Sequence, residues 1–168
     1  MTSKGRRIGF RVSDDYIAGH PDADPSATEL IINVFLTSDL MRARLERLLQ
    51  PFGVSGNGFN LLQIVSGASR PVTPSEIGEQ LIVTTATVTG LVDTLERRGF
   101  ITRTRDEADR RKVLVAITRE GREVLERIAP VLAEQEKRWS AGVQGSARER
   151  LIQSLGAIQQ HLRDLPAE

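Results

Sequence analysis

Apolar residues recur along this chain in two periods, and the change of period marks its organisation. Leu30, Ile31, Val34, Phe35, Leu40, Met41, Leu45 and Leu48 fall at helical spacing and predict a helix over 26–50, stopped by Pro51. Phe59, Leu61, Leu62, Ile64 and Val65 predict a second helix, for which Ser55 is the candidate cap, while Gly56 and Gly58 weaken its start. Thr73-Pro74-Ser75-Glu76 has the composition of a capping box with proline at the first helical position. After Leu81 a short link leads to Thr84, a candidate cap for a helix whose stripe is Val88, Leu91, Val92 and Leu95. Arg97, Arg98 and Gly99 have the chemistry of its C-terminal end.

The period then drops to two. Val113, Val115 and Ile117 alternate with Leu114 and Ala116 and predict a strand; Ile101–Arg105 is its predicted partner, and the polar stretch 106–112 is too hydrophilic to bury. Helical spacing returns with Val124, Leu125, Ile128, Leu132 and Trp139, where Pro130 predicts a kink, and again with Leu151, Ile152, Leu155, Ile158, Leu162 and Leu165.

Two helices joined by a tight turn and followed by a basic-tipped hairpin make a winged helix-turn-helix. The fold class expected is therefore mainly α with a small β-hairpin wing. It divides into a polar N-terminal tail (1–25), a winged-helix DNA-binding lobe (55–118) and flanking dimerisation helices (26–50 and 119–165). The terminal helices have no evident partner in so small a lobe, so pairing with a second copy is the expectation; a monomer with these helices folded over the lobe is the alternative. The tail, with Lys4, Arg6, Arg7 and Arg11 ahead of several aspartates, reads as a mobile or loosely docked segment, or else as a basic arm.

Helical projection selects what the second helix of the pair offers to DNA. Val88, Leu91, Val92 and Leu95 face the core; Ala86, Gly90, Asp93 and Arg97 point away, with Thr85, Thr87, Thr89 and Thr94 on the flanks. Threonine hydroxyls bond base edges or phosphates, their methyls meet thymine methyls, and free N–H groups at a helix start favour a phosphate. The candidate DNA contacts on this helix are Thr84, Thr85, Thr87, Thr89, Gly90 and Arg97, and on the hairpin tip Asp109, Arg110 and Arg111. The helix holds no Asn or Gln for bidentate reading of adenine. Net charge is only +1, yet Arg97, Arg98, Arg103, Arg105, Arg110, Arg111 and Lys112 cluster here, partly offset by Asp93, Glu96, Asp106, Glu107 and Asp109.

At these residues the chain resembles the MarR family of bacterial transcription regulators. Asp109-Arg110-Arg111, followed by the apolar run from Val113, fits that family's wing signature. Thr87-Val88-Thr89 with Leu91-Val92, then Leu95-Glu96-Arg97-Arg98-Gly99, and Thr118 with Gly121 extend the likeness over about 26–165. The resemblance implies a triangular homodimer on a pseudo-palindromic operator, most often a repressor, with an effector pocket between dimerisation helices and DNA-binding lobe. It also implies that Arg111 enters the minor groove, that Asp109 aims it, and that Arg110 meets a phosphate. The chain departs from the family's pattern at Gly90 and Thr94, where basic residues are familiar, which shifts weight onto the wing.

Composition excludes much else. With no cysteine, disulfides, thiolate metal sites and thiol redox sensing are ruled out. His20 and His161 stand far apart, no phosphate-binding glycine loop occurs, and no metal-ligand spacing is present, so no enzyme activity, cofactor or metal is expected. No apolar run reaches membrane-spanning length and no signal-like segment opens the chain, so no membrane association is expected and the cytoplasm is the expected compartment. The partners expected are double-stranded DNA, a second copy of the chain and an unidentified small-molecule effector. The rival function is a winged helix used for protein interaction or dimerisation without DNA readout.

Overall fold

The computed structural model describes residues 9–81, 83–106 and 109–166, and of Thr85 the backbone alone. Contacts divide the chain after Arg122 into two compact units.

In the first unit, α1 (Asp14–Gly19) precedes the long α2 (Pro25–Leu49). Asp24 caps α2 by accepting from the N–H groups of Ser26 and Ala27, at 2.9 and 3.3 Å, with Pro25 in the first turn. The segment before α1 is held against α2. The Phe10 N–H donates to Asn33 Oδ1 at 2.8 Å, Asn33 Nδ2 donates back to the Phe10 carbonyl at 2.9 Å, and Arg11 pairs with Glu29. The described part of the stretch read as a polar tail is thus docked and partly helical; Lys4, Arg6 and Arg7 lie outside the described residues.

After a 3-10 turn over Gln50–Phe52 come α3 (Gly56–Gly67), α4 (Pro74–Leu81) and α5 (Thr85–Arg97), then β1 (Ile101–Arg105) and β2 (Val113–Ile117). Ser55 caps α3 through the Gly58 N–H. Thr73 and Glu76 form the capping box of α4: the Glu76 N–H donates to Thr73 Oγ1 at 3.3 Å, and the Thr73 N–H donates to Glu76 Oε2 at 2.7 Å. β1 and β2 pair antiparallel from Ile101↔Ile117 to Arg105↔Val113. Val72, just ahead of α4, bridges Val115 on the hairpin's other edge, with N–H to O distances of 3.0 and 2.7 Å. The predicted elements form as periodicity placed them; this third strand-like contact has no periodic signal.

The core of the unit closes where these elements meet. Leu61, Leu62, Ile77, Val88, Val92, Ile101 and Val115 are essentially inaccessible, and α3 packs on α4, α5 and β2. α5 ends with the Gly99 N–H bonded to the Glu96 carbonyl and the Phe100 N–H to the Leu95 carbonyl, which satisfies its last carbonyls. Thr118 ties the turn to the next helix, donating from Oγ1 to the Gly99 carbonyl at 2.6 Å and accepting from the Gly121 N–H at 3.0 Å. At Gly121 the backbones approach closely: a Cβ there would lie 2.1 Å from the Phe100 carbonyl oxygen. One face of α2 stays bare, with Leu30, Ile31, Phe35, Leu36, Leu40 and Met41 exposed.

The second unit holds the continuation of α6 (Arg119–Trp139), which runs through Pro130 without a break, and α7 (Gly145–Asp164). Val124 and Ile128 of α6 are buried; α7 buries nothing and exposes Leu151, Ile152 and Leu162. No helix among the described residues is long and apolar enough to cross a membrane.

Gly121→Ala should destabilise the protein by about 1–3 kcal/mol, because the blocking atom is backbone and cannot swing aside; chemical denaturation checks it. Arg70 hydrogen-bonded to Glu76, with help from Thr73, lowers the Glu76 pKa from 4.5 to about 2. The charged form is therefore favoured by folding. Its contribution is present above pH 4.5 and is lost as pH falls through about 2. Glu76→Gln should lower Tm at neutral pH and flatten the acid limb of the Tm–pH curve across that window.

Candidate nucleic-acid interface

α5 presents a short polar face built by its own cap. Thr84 is extended (φ −69°, ψ 153°), and its hydroxyl accepts from the Thr87 N–H at 3.3 Å and lies 3.0 Å from the Thr87 hydroxyl. Two candidate threonines therefore hold one another at the start of the helix, where unsatisfied N–H groups and the helix dipole favour an anion. Thr85 opens the helix, and its side chain lies outside the described residues. Thr89 and Gly90 are exposed further along, and nothing lies within 4 Å of the place a Gly90 Cβ would take. Arg97 is exposed in the last turn, with Nε donating to the Asp93 carbonyl at 3.3 Å. Val88, Val92 and Leu95 are buried opposite, so the helix is anchored by one side and open on the other.

The hairpin tip is shaped by carboxylates. Asp106 accepts from the Asp109 N–H at 3.0 Å, and the Lys112 N–H closes the turn on the Asp109 carbonyl at 2.8 Å. Asp109 Oδ1 accepts from the Arg111 N–H at 3.1 Å and stands 3.6 Å from Arg111 Nε. The Arg111 side chain is 96% exposed, so it projects from the tip with its base steered and its head in solvent. Arg110 is exposed beside it, and neither Arg110 nor Lys112 has a carboxylate partner among the described residues. A protruding guanidinium is always charged and planar, which suits a narrow electronegative groove.

One member of the basic cluster is not a free cation. Arg103, on β1, reaches across to α5. Its Nε donates to Glu96 Oε2 at 2.8 Å, its Nη2 pairs with the same carboxylate, its Nη1 meets Asp93 Oδ1 at 2.6 Å, and its backbone N–H donates to Glu96 Oε1 at 3.2 Å. Hydrogen bonding by Arg103 holds Glu96 below the usual carboxylate range, and Glu96 then Asp93 raise Arg103 in return. Projection turned Asp93 outward; it is half-buried in this pair. The sequence held a signal for it, since Asp93 and Glu96 lie three apart on one face of the helix that leads into β1. Arg98, the residue after α5, lies instead against Gly53.

These geometries can bind and do not point to turnover. Among the described residues no cluster of three or more His, Asp or Glu could hold a metal ion. Thr84, Thr87 and the hairpin tip are presented by elements that Arg103 joins, giving a helix and a wing with polar, cationic outer surfaces.

Comparison with known proteins agrees with the winged-helix fold. Residues 59–113 match the model of the MarR family. The HTH-type transcriptional repressor YetL of Bacillus subtilis (strain 168) is 32% identical over 112 residues, covering 66% of this chain and 67% of YetL. Among solved structures, CouR from Rhodococcus jostii RHA1, bound to p-coumaroyl-CoA, superposes with a TM-score of 0.72 at 20% identity, over 87% of this chain and 100% of CouR. S. aureus MepR in its DNA complex gives 0.71 at 21% identity, over 76% and 94%. At those identities the two structures establish the shared fold.

Arg103→Met should leave the helical signal in circular dichroism intact. Hydrogen exchange at Thr102, Arg103 and Thr104 should accelerate several-fold as the hairpin loses its tie to α5; unchanged protection would show the pair to be dispensable.

Proposed function

The chain belongs to the MarR family, and we propose that it is a DNA-binding transcriptional regulator that represses from a pseudo-palindromic operator as a homodimer and responds to a small molecule. The observation that carries this is the pairing of an exposed threonine-capped helix with a hairpin whose Arg111 stands clear of the protein under the guidance of Asp109. The helix suits the major groove and the guanidinium the adjacent minor groove. Thr84, Thr85, Thr87, Thr89 and Gly90 then meet the duplex from α5, Arg97 and Arg110 meet phosphates, and Arg111 enters the groove.

The residues 55–118 form the reading lobe in this proposal, and 26–50 with 119–165 form the dimer. The exposed apolar faces of α2 and α7 support pairing, since a monomer leaves them in water. A twofold partner buries the same surface from both copies and duplicates the reading head. Repression follows the similarity to YetL, and the effector follows the ligand seen in CouR. Such a molecule releases DNA only by binding better to a dimer whose two heads no longer match the half-site spacing. As a transcriptional regulator of this family the protein would act in the cytoplasm, by binding and not by chemical conversion.

Selection of bound fragments from genomic DNA should return an operator, and footprinting should protect two half-sites centred about one helical turn apart, roughly 10 bp. Protection of a single half-site would overturn the dimer. Arg111→Ala should weaken operator binding by about 1–3 kcal/mol at fixed salt. An unchanged affinity would remove Arg111 from the interface, and no affinity of the wild type for any duplex would leave the interaction-module function in its place.

A further inference from the structure

Gly90 stands in the middle of α5, and nothing inside the protein asks for glycine there. Glycine is the least favourable helix-interior residue after proline, so its use in such a place needs a cause. Its backbone is not in the left-handed region, and a Cβ built on it would meet no atom within 4 Å. Two other glycines inside helices of the lobe differ. A Cβ on Gly58 would stand 3.1 Å from Ser55 Oγ, and one on Gly78 would stand 3.4 Å from both the Val83 carbonyl oxygen and Val88 Cγ2. Neighbours within the chain keep those two small. For Gly90 the neighbour must come from outside.

The face around Gly90 offers no free hydrogen-bonding group. Ala86, one turn earlier on the same face, is exposed and ends at a methyl. Thr87 beside it has its hydroxyl against that of Thr84. Asp93, next along the face, is held by Arg103. The Gly90 carbonyl accepts from Thr94 Oγ1 at 2.9 Å, in addition to its place in the helix ladder. Arg97 folds back toward the same turn, with Nε on the Asp93 carbonyl at 3.3 Å and Nη2 on Thr94 Oγ1 at 3.4 Å. Its Nη1 has no partner among the described residues. A cation therefore borders a small apolar patch. Such a patch reads neither donors nor acceptors, but it can seat a methyl group, and in the major groove that group belongs to thymine.

We infer that Gly90 is where the recognition helix comes closest to the base pairs, and that the Ala86 methyl and the bare Cα of Gly90 seat the 5-methyl group of a thymine in each half-site. A side chain at position 90 would enter the space which that methyl fills. The inference rests on the DNA-binding function proposed above and names the base feature that α5 reads. Arg97, steered through Thr94, then turns its remaining nitrogen to the flanking phosphate.

The test uses the full chain and an operator recovered from genomic DNA, with each thymine in turn replaced by deoxyuridine, which removes only the 5-methyl group. One or two thymines per half-site should each cost about three- to fourfold in affinity, the worth of one buried methyl. Ala86→Gly should lose its sensitivity at those same positions. Gly90→Ala should raise Tm by about 2–4 °C, since alanine is the better helix former, and yet weaken binding to the thymine operator by about fivefold or more. On the deoxyuridine operator Gly90→Ala should regain most of that loss, because the added Cβ takes the room of the missing methyl. Gly142→Ala, in the turn after α6 where a Cβ also meets nothing, should leave binding unchanged. Indifference to every deoxyuridine, Gly90→Ala binding as wild type, or Gly90→Ala losing stability and affinity together would overturn the inference. So would a loss in Gly90→Ala that deoxyuridine does not relieve, since the duplex would then meet position 90 without a methyl. If the wild type bound no duplex, the DNA-reading function would fall as well, whereas normal wild-type affinity with no methyl effect removes this inference alone.

Discussion

Arg103 leaves the first strand of the hairpin and closes on two carboxylates one turn apart on the recognition helix, Glu96 and Asp93. Exposed ion pairs add little net stability, because water already solvates both charges. What this one supplies is direction. A planar fork that meets one carboxylate through two nitrogens and a second through another admits few orientations of strand against helix. A winged helix grips two grooves at once, so the angle between helix and hairpin decides whether both engage. The Val72–Val115 bridge holds the hairpin from its other edge, and together they make the wing part of the lobe.

That economy explains a protein of net charge +1 with a DNA-binding architecture. Of the cations near the interface, Arg103 is consumed in structure and Arg98 is turned to Gly53. The remaining cations are Arg97 on α5 and Arg105, Arg110, Arg111 and Lys112 along the hairpin, at whose tip Asp109 shapes the approach of Arg111 without burying it. In the proposed interface few phosphate contacts would give a shallow dependence of affinity on salt, and discrimination would fall to threonines on α5 and to groove shape. The absence of Asn and Gln from that helix points the same way.

Both units carry apolar helix faces that their own packing leaves in solvent: Phe35, Leu40 and Met41 on α2, Leu151, Ile152 and Leu162 on α7. The docked segment at Phe10 shows how α2 gains partners locally, through the Asn33 amide and Glu29, and these contacts leave the apolar stripe bare. Each face is the kind of surface that a symmetric assembly removes from water.

Helices, caps and the hairpin were legible along the chain because their causes are local. The Thr73–Glu76 box, the Ser55 and Thr84 caps, the change of period at Ile101 and the turn chemistry of Asp109 to Arg111 each involve residues within a few positions of one another. Meetings between distant residues were not legible. A helical wheel turned Asp93 to solvent, and the charge pattern grouped Arg98 and Arg103 with the basic cluster of the reading head. Folding set Asp93 under Arg103, laid Arg98 on Gly53 and matched Val72 to Val115. Period assigns a residue to a face, but long flexible guanidiniums choose partners by the distances that packing creates between elements, and those distances have no record in local spacing.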